Sequence, residues 1–221
     1  MIGVVKVRAK KRTEAEKNPT EVKVDVDRYL TSGEITMAKL VFKDSIDYTK
    51  VKIIRSGAWS LPTFSNNAMT PFGNIYLPSQ EYEKNKDFSK ADSASEKHWF
   101  IHEMTHVWQY QLGTSNAWLG IKQGCKGGYT SDAHSPDSSG DSDLKAYVTD
   151  ISGADANKKF KEFNFEQQGR IIEIWYDACY LQHENPQREH HQKSLKLLGY
   201  AERILRDFLQ NPKDKNLLPK V

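Results

Sequence analysis

Cysteine is nearly absent from this sequence, with Cys125 and Cys179 the two in 221 residues. That excludes a disulfide framework and a thiolate zinc site, and two free thiols are the simpler expectation over one bridge. No run approaches the roughly 18 apolar residues of a membrane helix, so no membrane span is expected. No apolar segment follows the first basic residues, so no secretory signal peptide is expected. Neither sign of charge dominates. Lys plus Arg is 32 against 29 Asp plus Glu, and a net +3 is too small to point to nucleic acid. No internal repeat is visible. What is present is aromatic mass, with five Trp, ten Tyr and nine Phe, which argues for one folded domain with its own core.

Residues 1–20 are polar and basic and read as a tail or linker, leaving 21–221 as a single domain. Glu21 to Asp27 alternates strictly, as a half-buried strand does. Thr31-Ser32-Gly33-Glu34 has capping-box spacing ahead of Ile35, Met37, Ala38, Val41 and Phe42, which predicts a helix. Val51–Ile54 and Gly73–Leu77 read as short strands around a loop rich in Pro, Ser and Asn. Ser93-Ala94-Ser95-Glu96 is a second capping box and opens a helix to Leu112, stopped by Gly113. Residues 113–144 are rich in Gly, Ser and Asp and read as a surface insertion. Two more helices are predicted, from Asn164 to about Gln182 and from Ser194 to Gln210. The first has Ile171, Ile172, Trp175, Ala178 and Cys179 as its apolar stripe. The second has Leu195, Leu198, Ala201, Leu205, Phe208 and Leu209. Strands gather early and helices late, so the predicted class is α+β.

The informative segment is His102-Glu103-Met104-Thr105-His106, an H-E-x-x-H pattern. Histidines at i and i+4 share one helix face, where both rings reach one metal. At about 100° per residue, His106 falls near 40° from His102. Phe100, Ile101, Met104, Val107 and Trp108 fall on the opposite arc, at about 140–280°. The helix is thus expected to pack on one side and present ligands on the other. Glu103, about 100° from His102, is placed to take a proton from a water activated by Zn²⁺. Seven His and fourteen Glu produce this pattern by chance roughly 1% of the time.

A catalytic zinc has three protein ligands and one open position. Position 109 is Gln and position 112 is Leu, so the H-E-x-x-H-x-x-G-x-x-H extension is absent. A Glu on a later helix is the other common third ligand. Glu166, Glu173 and Asp177 share one helix face. Glu166 is preferred because it stands in the first turns, with Glu173 and Asp177 as alternatives or supporting groups. An i,i+4 pair of Glu166 with Arg170 is the competing structural reading. Tyr147, Tyr176 and Tyr180 are candidate donors to an oxyanion, each with a buried structural role as its default. His183, His190 and His191 read as a surface loop, and His134 lies within the insertion.

These residues resemble a bacterial family. Lys97-His98-Trp99-Phe100 followed by IHEMTHVWQ, and FNFEQQGRIIEIWY at 163–176, are similar to the zincin-type metallopeptidase domain attached to some VgrG spike proteins and encoded near Rhs and VgrG elements. Ala68–Tyr76 and Asp87-Phe88-Ser89 fit the same pattern. The resemblance spans roughly residues 30–180. It implies a zincin-like fold in which His102, His106 and Glu166, the Glu of the EQQ block, hold Zn²⁺ and Glu103 is general base. It implies an antibacterial effector, secreted by the type VI route without a signal peptide and acting in the target-cell periplasm. The implied partners are a protein or peptide substrate, a VgrG-type spike or other carrier, and a cognate immunity protein. Arg170 stands where thermolysin-like enzymes carry an Asp. The carboxylate that orients a ligand His is therefore expected elsewhere, at Asp177 or Asp150. Two alternatives belong to other classes: a zinc module closed by a fourth protein ligand such as His134, and a carrier adaptor with a vestigial site. The strand at Ile75–Leu77 is expected to pair with an extended substrate.

Overall fold

The computed structural model describes residues 27–56, 68–70, 72–114 and 148–219. The tail over 1–20, most of the strand over 21–27, most of the insertion over 113–144, Cys125, His134 and Tyr147 lie outside the described residues. Three strands form one sheet in the order β1 (Asp27–Tyr29), β2 (Lys52–Ser56), β3 (Ile75–Pro78). β1 runs antiparallel to β2, and β2 parallel to β3, with Ile53 opposite Ile75 and Arg55 opposite Leu77. Ile53, Ile75 and Leu77 turn inward and are fully buried. The outer edge of β3 is engaged at Tyr76, whose backbone exchanges bonds of 2.8 and 3.0 Å with Met69. An extended substrate therefore does not find that edge open at Tyr76, as the sequence suggested it should.

The helices are α1 (Ser32–Phe42), α2 (Ser79–Lys84), α3 (Ala94–Gln111), α4 (Phe165–Tyr180) and α5 (Glu189–Gln210). With the small sheet they make the α+β arrangement that the order of patterns predicted. Thr31 and Glu34 form the expected capping box of α1. Ser93 accepts from the Glu96 amide at 3.3 Å, and the Glu96 carboxylate pairs with Lys84. Asn164 and Gln167 form a third box, at the start of α4. The helix α5 begins five residues before the expected Ser194. Arg188 has an extended cap conformation, and Glu189 places negative charge in the first turn, where the helix dipole favours it.

The core lies between the sheet, α1, α3, α4 and α5. Trp108 is its largest fully buried side chain. Its indole donates to the Pro212 carbonyl at 2.7 Å, and its ring meets Phe208 edge-on at 5.2 Å. Phe208 also meets Phe42 at 6.1 Å, which joins α5 to α1. Leu195, expected in this stripe, is 42% exposed. Glu34, with no exposure, receives two bonds of 2.8 Å from Arg28, one of 2.8 Å from the Thr31 amide and one of 3.0 Å from the Phe88 amide. A buried carboxylate is tolerated because its lone pairs are filled. Here it ties β1, α1 and the turn leading to α3 together.

Candidate metal centre

α3 and α4 lie against each other, and their polar faces meet. His102 Nε2 is 2.8 Å from Glu166 Oε2, His106 Nε2 is 3.2 Å from the same oxygen, and the two nitrogens are 3.1 Å apart. All three residues are buried. Ligand atoms around a tetrahedral zinc, with bonds of about 2.0–2.1 Å, are about 3.3 Å apart. Two imidazoles and a carboxylate that already converge to within a few tenths of an ångström of that spacing fit such an ion. Among the described residues they form a three-donor group, and the sequence named all three.

Each histidine is oriented from behind. His106 Nδ1 donates to Gln109 Oε1 at 2.9 Å. The Gln109 amide nitrogen donates to Phe165 O and Gln168 Oε1, both at 3.0 Å, and Gln168 in turn donates to Phe160 O and Leu217 O at 2.9 Å. Carbonyls only accept, so the chain fixes both amide orientations and leaves Gln109 Oε1 facing His106 as acceptor. His102 Nδ1 lies 3.2 Å from Glu173 Oε1, and Arg170 donates to the other Glu173 oxygen at 2.8 Å. Both rings thus direct Nε2 toward Glu166.

The orienting carboxylate is Glu173, not Asp177 or Asp150. Asp177 contacts His98, His191 and Arg188, and Asp150 accepts from Ala154 N in a turn. Arg170 pairs with Glu173, not Glu166, because Glu166 turns inward to the histidines. Tyr176 is buried against Tyr180, ring centroids 5.5 Å apart. The EQQ block has a division of labour. Glu166 joins the histidines, Gln167 caps α4 and donates to Val148 O at 2.7 Å, and Gln168 locks Gln109.

Gly169 makes the approach of the two helices possible. A Cβ there would fall 2.8 Å from His102 Cε1 and Nδ1. Glu103 is buried and accepts from Thr70 Oγ1 at 2.7 Å. Sequence reading missed Thr70, Gln109, Gln168 and Gly169. Only the glycine in a helical pattern carried a usable signal.

The charges agree with the geometry. Burial alone depresses His102, but the Glu173 charge and the hydrogen bonds with Glu166 and Glu173 raise it well above its ordinary value. His106 is raised by Glu166 against the same burial. Burial raises Glu166, and the His106 and His102 contacts more than reverse that and hold it low. Glu173 opposes its own burial with the His102 charge and lies at about 2.

Fold and site define an α+β domain with a buried His-His-Glu donor set across two helices. No protein-family model matches the chain. It is 33% identical over 152 residues to the type VI secretion system spike protein VgrG2b of Pseudomonas aeruginosa strain PAO1, a match of 69% of this chain and 13% of the spike protein. The solved effector domain of VgrG2b superposes with a TM-score of 0.53 at 28% identity, covering 81% of this chain and 82% of that one. The chain is therefore a homologue of VgrG2b that matches its effector domain in fold, while spanning a small part of the spike protein's length. No described helix is long and apolar enough to cross a membrane.

Proposed function

We propose that this chain is a zinc-dependent metallopeptidase with a zincin-like fold, acting as an antibacterial effector of a type VI secretion system. The observation that carries the reading is the convergence of His102 Nε2, His106 Nε2 and Glu166 Oε2, with Glu103 on the next residue of the same helix. Three donors are the count of a catalytic zinc rather than a closed structural one. Bound there, zinc supplies a Lewis acid that polarises a scissile carbonyl and brings the pKa of water to about 7.

The chain's own residues do the rest. Gln109 and Glu173 hold the two imidazoles so that Nε2 is the donor atom. Glu103 takes the proton of the attacking water and returns it to the leaving amine, a role worth about 10²–10⁴ in rate. Thr70 fixes one Glu103 oxygen, which leaves the other to receive that proton. The VgrG2b homology supports carriage by a VgrG-type spike. To this we add release into the periplasm of a target cell and neutralisation by an immunity protein in the producer.

Directing the wild-type chain and Glu103→Ala to the periplasm of a test bacterium checks the reading. The wild type should be toxic and the variant harmless at equal abundance. Undiminished toxicity of Glu103→Ala refutes peptidase action as the cause.

A further inference from the structure

One turn before His102 on α3 stands His98, and one turn beyond Glu173 on α4 stands Asp177. His190, from the first turn of α5, closes the group. One donor atom from each lies within 4.8 Å of the other two. The two rings are 4.5 Å apart between centroids and tilted by 37°. His98 Nε2 is 3.0 Å from Asp177 Oδ1, yet its direction makes no hydrogen bond. Among the described residues, neither His98 Nε2 nor His190 Nε2, both buried atoms, has a hydrogen-bond partner. A buried imidazole nitrogen without a partner forfeits its hydration with no return, so such a pair calls for an explanation.

We propose that His98, Asp177 and His190 form a second site for a divalent transition metal, zinc among them, which clamps the start of α5 onto the α3–α4 seam. Two imidazoles and one carboxylate are the donor chemistry of zinc, cobalt, nickel and copper, not of calcium or magnesium. The site shares no ligand with the His102–His106–Glu166 centre and does not depend on the activity proposed for it. Burial pushes both His98 and His190 down to about 4, so each is neutral at pH 7, the form that ligates a metal.

Asp177 Oδ2 lies 3.3 Å from His191 Nδ1, which orients it. Asp177 Oδ1 accepts from Arg188, whose other amino group donates to the carbonyls of Leu181 at 3.2 Å and Glu184 at 2.8 Å. Arg188 is thus the cation at this carboxylate without metal. An ion entering shares Oδ1 with it or displaces it toward those carbonyls, and the second site is the weaker of the two for that reason.

The test is calorimetric titration of the chelator-stripped full chain with zinc, alongside His190→Ala, His98→Gln and His106→Ala. The wild type should bind two equivalents. His190→Ala and His98→Gln, which alter different helices, should each bind one and keep the His106-dependent event. His106→Ala should keep the His190-dependent one. The second equivalent should also raise the thermal midpoint of the wild type but not of His190→Ala. One equivalent in the wild type that survives both His190→Ala and His98→Gln overturns the proposal. So do two equivalents that survive them.

Discussion

His106 donates its Nδ1 proton to Gln109 Oε1 over 2.9 Å, three residues further along the same helix. That contact fixes the neutral tautomer of the ring and leaves Nε2 as the lone-pair donor. Gln109→Leu keeps the volume approximately but strands the Nδ1 proton in a buried position. Zinc affinity should fall about 10–100-fold, the range for lost orienting partners. Competition with a fluorescent chelator measures it, and an unchanged affinity would show that Gln109 does not orient the ring.

Gly169 gives an independent handle on the same centre. Gly169→Ala is favourable for an isolated helix by about 1 kcal/mol. Here the new methyl meets a ring held by Glu166 and Glu173. The variant should lose about 1–3 kcal/mol in urea unfolding, the cost of overpacking a filled core. Its zinc affinity should drop at least about tenfold as the ring is displaced. Gain of stability with full zinc binding would mean that the helices separate without cost.

The metal-free protein should have a pH optimum of stability set in part by this cluster. Glu166 and Glu173 have lowered values when folded. Their contribution is complete above the unfolded Glu value of about 4.3 and is lost as pH falls toward the folded values. His102 and His106 are raised when folded. Their contribution is complete below about 6.5 and is lost as pH rises through the folded values. The cluster's contribution is therefore greatest between about 4.3 and 6.5, while His98 and His190, lowered to about 4 when folded, remove stability as pH falls below about 6.5, so the thermal midpoint should peak near 6.5 and decline on both sides. His102, raised well above its ordinary value, holds a proton that zinc must displace. Titrations at pH 7 in buffers of different ionisation enthalpy should therefore report proton release, and its absence would contradict the raised values.

Much of this molecule was legible in the order of its residues. The α1 cap follows from Thr31, and the donor set follows from spacing on two helices. What was not legible lies across the seam between helices. Apolar periodicity marks α3 as one-sided, but its polar face meets α4 at Gln109 and Thr70 at Glu103, so both are buried rather than solvated. Glu173 and Asp177 were expected on one face and do share it. Which histidine each meets depends on helix register, which a single sequence does not encode. His190 and His191 read as loop because their polarity hides a helix that starts at Glu189.

Glu34 tests the scaffold apart from the site. Glu34→Ala leaves Arg28, half shielded, and two backbone amides without their acceptor. The loss should reach about 3 kcal/mol in denaturant unfolding, the lower end for breaking a buried ion pair. Zinc stoichiometry of the folded fraction should be unchanged. A loss under about 1 kcal/mol would place the pair with surface ion pairs instead.

The central claim is that zinc held by His102, His106 and Glu166 works with Glu103 to cleave peptide bonds. The most direct measurement takes zinc content and cleavage of a denatured periplasmic protein mixture on the same samples of wild type and Glu103→Gln, reading new amino termini by mass spectrometry. The account predicts equal zinc in both, and new termini that depend on zinc in the wild type and fall at least about 100-fold in the variant. Equal numbers of new termini in both samples, or none from a zinc-loaded wild type, would contradict it.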